Sequence, residues 1–372
     1  MPASIAARGV GAAVERVTAS AYTIPTDFPE SDGTLEWDST TIVVVEVQAD
    51  GETGLGYTYG DAAAAVLASE TLAPALEAHD ALAIGGAWAA LVERVRNLGR
   101  PGIAATAISA LDVALWDLKA RLLDLPLAAL LDGVRDEVPV YGSGGFTSYP
   151  VERLQSQLAG WVEEGIARVK MKIGREPEND IARVRAVREA IGEDAELFVD
   201  ANGAYSRKQA LAFAEAFAEF GVTWFEEPVS SDDLEGLRLL RDRAPAGLEI
   251  AAGEYGYDST YFGRMLAAGA VDCLQADASR CLGITGFLRA AALADAHQLD
   301  LSAHTAPALH LAACRAVPRF RHLEYFHDHV RVERMLFDGV VQPEGGVLRP
   351  DRSRPGLGLE LRRADAERYA VR

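Results

Sequence analysis

Charged side chains recur along the second half of this chain at the interval of one strand plus one helix. Lys170 and Lys172 are followed by Asp200, Glu226, Glu254, Asp277, His304 and Glu324, at gaps from Lys172 onward of 28, 26, 28, 23, 27 and 20 residues. A βα unit takes about 30 residues or more when both of its strands are counted. Each residue sits near the end of a short apolar run that reads as a strand. From residue 137 onward these are Val138–Tyr141, Arg168–Ile173, Glu196–Asp200, Val222–Glu226, Leu248–Gly253, Val271–Ala276, Leu299–Ala303 and Arg321–Glu324. Amphipathic stretches such as 151–164, 178–191 and 206–220 fit between them as helices. Eight parallel strands with helical crossovers predict a TIM-type barrel, whose strand ends share one catalytic face.

The first third has a different rhythm. Residues 14–24 and 40–48 alternate and are rich in Val, Ile and Thr, and 55–59 follow an Asp50-Gly51 turn, which predicts an antiparallel meander. Helical patterns follow near 61–79, 86–98 and 102–124, so this region reads as α+β. Residues 25–37 (Pro-Thr-Asp-Phe-Pro-Glu-Ser-Asp-Gly-Thr-Leu-Glu-Trp) read as a polar, acidic loop between two strands. Loops of this length are commonly functional, and here the expectation is a lid over the barrel mouth. Residues 325–372 read as polar loops, Gly-Pro turns and a last alternating stretch that returns to the first region.

The net charge of -19 argues against nucleic acid and anionic membranes as partners. It also repels an anionic substrate unless positive charge collects at the site. Cys273, Cys281 and Cys314 form no CxxC pair and lie in apolar stretches, as buried thiols of a reducing cytosol do. The first residues lack a basic start followed by an apolar run, and no apolar stretch spans a bilayer. The expected location is cytoplasmic, and symmetric self-association is the expected assembly.

Three carboxylates at successive strand ends, Asp200, Glu226 and Glu254, repel one another unless a cation sits between them. An all-oxygen ligand set favours Mg²⁺, with Mn²⁺ as the alternative, over zinc. Lys170 and Lys172, two of only four lysines in the chain, are at i and i+2 of one strand and project to the same side. Two adjacent ammonium groups depress each other's pKa, and a divalent cation adds to this. One lysine can then act as a base while the other holds an anionic oxygen. Asp277 and His304 end neighbouring strands, where a carboxylate on one ring nitrogen raises the basicity of the other. Glu324, if it keeps its proton, donates a hydrogen bond to a developing oxyanion.

Around these, Asn202 reads as a turn partner of Asp200, and Arg280 as a group that orients Asp277 or covers the rim. His327-Asp328-His329 reads as a loop whose histidines form a second metal site only as the less favoured alternative. His79, His297, His310 and His322 are assigned no chemistry.

The ordered set of motifs resembles the enolase superfamily, and within it the mandelate racemase group. The residues that carry the likeness are Lys170-Met171-Lys172, Asp200-Ala201-Asn202, Trp224-Phe225-Glu226-Glu227-Pro228, Gly253-Glu254, Asp277 with Leu282-Gly283-Ile284-Thr285-Gly286, His304 and Glu324. Any one motif is weak, and the ordered set spans nearly the whole chain. The resemblance implies an α/β fold: a modified (β/α)7β TIM barrel over 137–324, an N-terminal α+β capping domain over 1–136, and a C-terminal segment over 325–372. It also implies Mg²⁺ on Asp200, Glu226 and Glu254, and bases at Lys172 and at the His304–Asp277 dyad on opposite faces of the substrate. Muconate cycloisomerases and dipeptide epimerases of the family carry lysine where this chain has Asp277, which disfavours those two activities.

The shared chemistry is removal of the proton next to a carboxylate, giving an enediolate that Mg²⁺, Lys170 and Glu324 would stabilise. The lid offers Asp27, Glu30, Ser31, Asp32, Glu36 and Trp37, a set suited to a polyol chain. Asp27 and Trp37 are the expected substrate contacts. The expected reaction is dehydration of a sugar acid, aldonate before aldarate, to a 2-keto-3-deoxy acid. A racemase or epimerase of a 2-hydroxy acid is the alternative, and a non-catalytic homologue the second-class alternative.

Overall fold

A computed structural model describes residues 11–77 and 79–371. The reading of the extreme N-terminus as leaderless therefore lies outside the described residues. The chain opens with an antiparallel sheet of β1 (Arg16–Ser31), β2 (Glu36–Ala49) and β3 (Glu52–Tyr59), in that spatial order. Two of the helices that follow are α1 (Ile84–Arg94) and α2 (Ile103–Leu122). Gly54 and Gly56, both on one face of β3, let it lie directly on α2. A methyl group at either position would run into the backbone at Ala110 or Ala114. The small side chains of α2 complete the contact, and most of that helix is buried.

The barrel strands are β4 (Val138–Gly144), β5 (Arg168–Lys172), β6 (Glu196–Asp200), β7 (Val222–Glu226), β8 (Glu249–Ala252), β9 (Cys273–Ala276), β10 (Asp300–Ala303) and β11 (Phe320–Phe326). Each pairs in parallel with the next, and β11 pairs back with β4, which closes the cylinder. A short strand at Val347–Leu348 adds antiparallel to the outside of β4. Helices α3 (Val151–Glu163), α4 (Pro177–Ile191), α5 (Arg207–Ala218), α6 (Leu234–Arg243), α7 (Ser259–Ala268), α8 (Gly283–Ala296) and α9 (Pro307–Arg315) are the crossovers. Tyr141, Phe198, Trp224, Ala251 and Cys273 fill the barrel interior below the strand ends. No helix among the described residues is long and apolar enough to cross a membrane.

Two expectations are corrected. Residues 25–37 are not an open loop. They form the end of the β1–β2 hairpin, with a turn closed by Asp32, whose Oδ1 accepts from the amides of Thr34 and Leu35 at 2.6 Å each. The polar, acidic run suggested a loop; its prolines Pro25 and Pro29 are accommodated because β1 is an edge strand, where a missing N–H is tolerated. The hairpin end is docked rather than free. The Thr147 amide donates to the Ser31 carbonyl at 2.8 Å, and Ser148 Oγ donates to the Pro29 carbonyl at 2.7 Å.

The second correction concerns His327–Leu336, which is a helix, α10, and not a loop. Its first turn is polar and its start has no side-chain cap, so neither periodicity nor a capping residue announced it. Val332, Glu333 and Leu336 are fully buried on its inner face. His322, assigned no chemistry, lies in β11 and faces the barrel aromatics, with its ring 4.7 Å from that of Tyr141.

Candidate active site

Register delivers the site. Lys172, Asp200 and Glu226 are mutual partners across β5, β6 and β7, so their side chains must rise side by side from the rim. Glu254 follows β8, Asp277 follows β9 and His304 follows β10, so the array continues around the barrel. Asp200, Glu226 and Glu254 each offer an oxygen within 4.8 Å of the other two, and all three are buried.

Lys170 lies fully buried among Glu226, Glu324 and Asp200, with Nζ at 2.8, 2.8 and 3.3 Å from their oxygens. Lys172 Nζ is 2.5 Å from Asp200 Oδ2, whose other oxygen accepts from the Asn202 amide at 2.9 Å. His304 Nδ1 is 2.8 Å from Asp277 Oδ2, which leaves Nε2 facing Glu254 Oε2 at 3.3 Å and Glu324 Oε2 at 3.7 Å. The carboxylate arc is thus bounded by ammonium groups at the Asp200 end and by imidazole at the Glu254 end. Arg280 links Glu254 Oε1 at 3.4 Å to Asp277 Oδ2 at 3.6 Å, so it both covers the rim and faces the dyad.

The electrostatics differ from the expectation at two points. Burial pushes the Lys172 pKa down and Lys170 adds to that, but the carboxylates of Asp200, Glu254 and Glu324 together outweigh both and the net shift is upward. Lys170 is likewise raised, against burial, by Glu226 and Glu324. Mutual repulsion of the lysines therefore does not neutralise either one while the carboxylates carry their full charge. Glu324 does not keep its proton. Burial favours the neutral form, yet Lys170 and His304 hold the carboxyl well below the usual range. Ser143 Oγ and the Thr305 amide donate to it at 2.5 and 3.1 Å, as suits an ionised group.

Asp277 stays ionised against its burial because it bonds His304. His304 is raised overall: burial lowers it, and Glu254, Glu324 and the bond to Asp277 more than compensate. Glu226 is pushed up by burial and by the charge of Asp200.

The donor set fits a hard divalent cation. Three buried carboxylates converge, and Glu254 Oε2, although 3.3 Å from His304 Nε2, makes no hydrogen bond. Such an oxygen is costly to bury unless something positive meets it. Glu227 and Asn202 add two more buried, unpartnered oxygens beside the arc. Glu227 lies within the Trp224–Pro228 motif but was assigned no role from sequence, and Ser143 gave no signal there.

The structure does not bring Asp27 and Trp37 into this array. Asp27 bonds His327 Nε2 and Arg153 NH2 at 3.2 Å each. Trp37 donates through Nε1 to Glu30 at 2.9 Å and packs edge-on against Phe146. His310, assigned no chemistry, supports the dyad from behind. Its Nε2 accepts from the Ala278 amide at 2.7 Å, in the residue after Asp277.

The model of the enolase C-terminal domain-like family matches residues 153–366. That of the mandelate racemase/muconate lactonizing enzyme N-terminal domain matches residues 20–132. The chain belongs to the mandelate racemase group of the enolase superfamily. A mandelate racemase/muconate lactonizing enzyme-like protein from Rubrobacter xylanophilus is 60% identical, with a TM-score of 0.95 over 96% of this chain and 100% of that one. The 3,6-anhydro-alpha-L-galactonate cycloisomerase of Streptomyces coelicolor is 35% identical over 94% of this chain and 98% of its own length. L-Talarate dehydratase from Polaromonas sp. JS666, solved with Mg and L-glucarate, is 33% identical, with a TM-score of 0.88 over 97% and 98% of the two chains. The group's fold, a capped parallel barrel, is the one described above, and the protein is an enzyme of that group.

Proposed function

We propose that the protein is a Mg²⁺-dependent dehydratase of sugar acids. The observation that carries this reading is the placement of two different proton-transfer groups at opposite ends of one carboxylate arc. Asp200, Glu226 and Glu254 are assigned to the cation. When bound, Mg²⁺ supplies Lewis-acid polarisation of the substrate carboxylate.

Lys172 takes the α-proton. To do so it must first be neutral, and the carboxylate that holds its proton most strongly is Asp200, one of the three assigned to the cation. Lys170 remains charged and faces the oxygen on which negative charge grows. His304, protonated at Nε2 and steadied at Nδ1 by Asp277, delivers its proton to the β-hydroxyl, which leaves as water. The resulting enol becomes a 2-keto-3-deoxy acid by tautomerisation. Glu324, ionised, keeps Lys170 charged and in place. Arg280 and Asn202 position Asp277 and Asp200. Asp27 and Trp37 are assigned to the hairpin wall rather than to the reacting centre.

Among sugar acids we favour aldonates. Three guanidinium groups at the hairpin already have carboxylates: Arg153 with Asp27, Arg175 with Glu36, and Arg331 with Asp328. Arg183, which lines the same cavity as Ser31 and Glu36, bonds the Tyr149 and Phe146 carbonyls, so a second substrate carboxylate would have to displace one of these contacts. The Streptomyces relative favours a second reading, a cycloisomerase of a cyclic sugar acid, in which the same α-proton chemistry opens a ring.

A library of open and cyclic sugar acids with Mg²⁺ tests these readings by keto-acid formation and by deuterium uptake. Keto acid from an open aldonate is expected. Turnover of cyclic acids alone selects the cycloisomerase, and α-deuteration without keto acid selects a racemase. Aldarate turnover without any aldonate turnover overturns the substrate preference.

A further inference from the structure

We propose that Asp27, Glu30 and His327 form a second cation site, separate from the strand-end carboxylates, that takes a transition-type divalent ion such as Zn²⁺. Asp27 and Glu30 belong to β1 of the hairpin, and His327 is the first residue of α10. Each offers a ligand atom within 4.8 Å of the other two. Zinc bonds of about 2.0–2.2 Å in a tetrahedron place ligand atoms roughly 3.3–3.6 Å apart. His327 Nε2 lies 3.2 Å from both oxygens of Asp27, close to that spacing.

Glu30 supplies the independent sign of a missing ligand. Its side chain is 0% exposed, Oε2 accepts from Trp37, and Oε1 has no partner. A buried carboxylate oxygen left unmet is expensive and rare. The carboxyl is pushed up to about 9, first by burial and then by the charge of Asp328, with Trp37 and Arg331 opposing. Neither nearby guanidinium group bonds Glu30. Arg153 bonds Asp27 and lies over the rings of Phe28 and Tyr149, while Arg331 bonds Asp328 and the Pro25 carbonyl.

The imidazole separates this site from the all-oxygen arc, since mixed nitrogen and oxygen donors suit zinc better than magnesium. Three protein ligands leave a fourth position for water, on the side where Asp27 is partly exposed. His329 takes no part. It is buried and stacked on Tyr59 at 3.4 Å, so the two histidines of His327-Asp328-His329 do not chelate together. An ion here joins the hairpin to the helix that follows the last barrel strand.

The test uses the full chain held in saturating Mg²⁺, given one equivalent of Zn²⁺, gel-filtered and analysed for bound zinc. The wild type and Asp200→Asn are expected to retain zinc. His327→Gln and Glu30→Gln are expected to bind it at least about tenfold more weakly by calorimetric titration. Their unchanged circular dichroism separates lost ligation from misfolding. Failure of the wild type to retain zinc overturns the proposal, as does retention by His327→Gln combined with loss in Asp200→Asn. Neither result bears on the dehydratase reading, which is scored by keto-acid formation.

Discussion

Replacing Gly33 by alanine should disable the site without unfolding the protein. Gly33 is in the turn of the β1–β2 hairpin and lies against the ends of β5 and β6. An added methyl group would sit 2.8 Å from the Ile173 carbonyl oxygen and closer still to that of Ala201. Both oxygens are backbone, and they immediately follow Lys172 and Asp200, so neither can step aside cheaply. The glycine has no left-handed backbone to preserve, so the whole effect is steric. Restoring ordinary contact distances requires the turn to retreat by about 1 Å, a displacement that costs roughly 10²-fold when it misplaces reacting groups. We expect kcat/KM for the identified sugar acid to fall by about that factor. The melting temperature should stay near that of the wild type, because the hairpin remains anchored through Ser31–Thr147 and Ser148–Pro29. Leu35→Ala, at a residue 62% exposed on the same turn, is the control and should be nearly silent. Gly33→Ala activity close to that of the wild type would show that the turn does not close the site.

Two further outcomes follow from the charged groups. The His304 pKa is raised by Glu254, Glu324 and the bond to Asp277, and Asp277→Asn removes the last of these, so the basic limb of the kcat–pH profile should move to lower pH and activity should drop about 10–100-fold; an unmoved limb would refute the dyad. Glu333 is wholly buried, bonded by Tyr57 Oη at 2.5 Å, and pushed by burial from 4.5 to about 8. Because its folded pKa is raised, its contribution is fully favourable below the unfolded value and is lost as pH rises through the folded one. The stability of the wild type in urea should therefore fall between pH 4.5 and 8 relative to Glu333→Gln, by up to a few kcal/mol at about 1.4 kcal/mol for each pH unit crossed; parallel pH curves would contradict this.

The strand-end residues were legible because a parallel barrel leaves little choice. Once Lys172, Asp200 and Glu226 close successive strands, the register brings them together. The dyad was legible for the same reason. Charge states were not, since they depend on what surrounds each group in space. Glu324 loses its proton to the fields of Lys170 and His304, which other strands bring to it. The hairpin was hidden by a polar, acidic run whose two prolines an edge strand accepts, and α10 by a polar first turn. Contacts between the cap and the barrel left no local pattern either. Ser109 Oγ on α2 accepts from the Leu282 and Gly283 amides, and Asp112 accepts from Thr285, so one helix caps the start of α8.

The exchange of the substrate's α-proton with D₂O, followed by NMR in the presence of Mg²⁺, tests the central claim most directly. Deuterium uptake or deuterated keto acid is expected with the wild type. Lys172→Ala should lose α-proton removal, and His304→Asn should retain exchange without dehydration. Undiminished α-proton removal in the Lys172→Ala/His304→Asn double variant would contradict the assignment of these two groups.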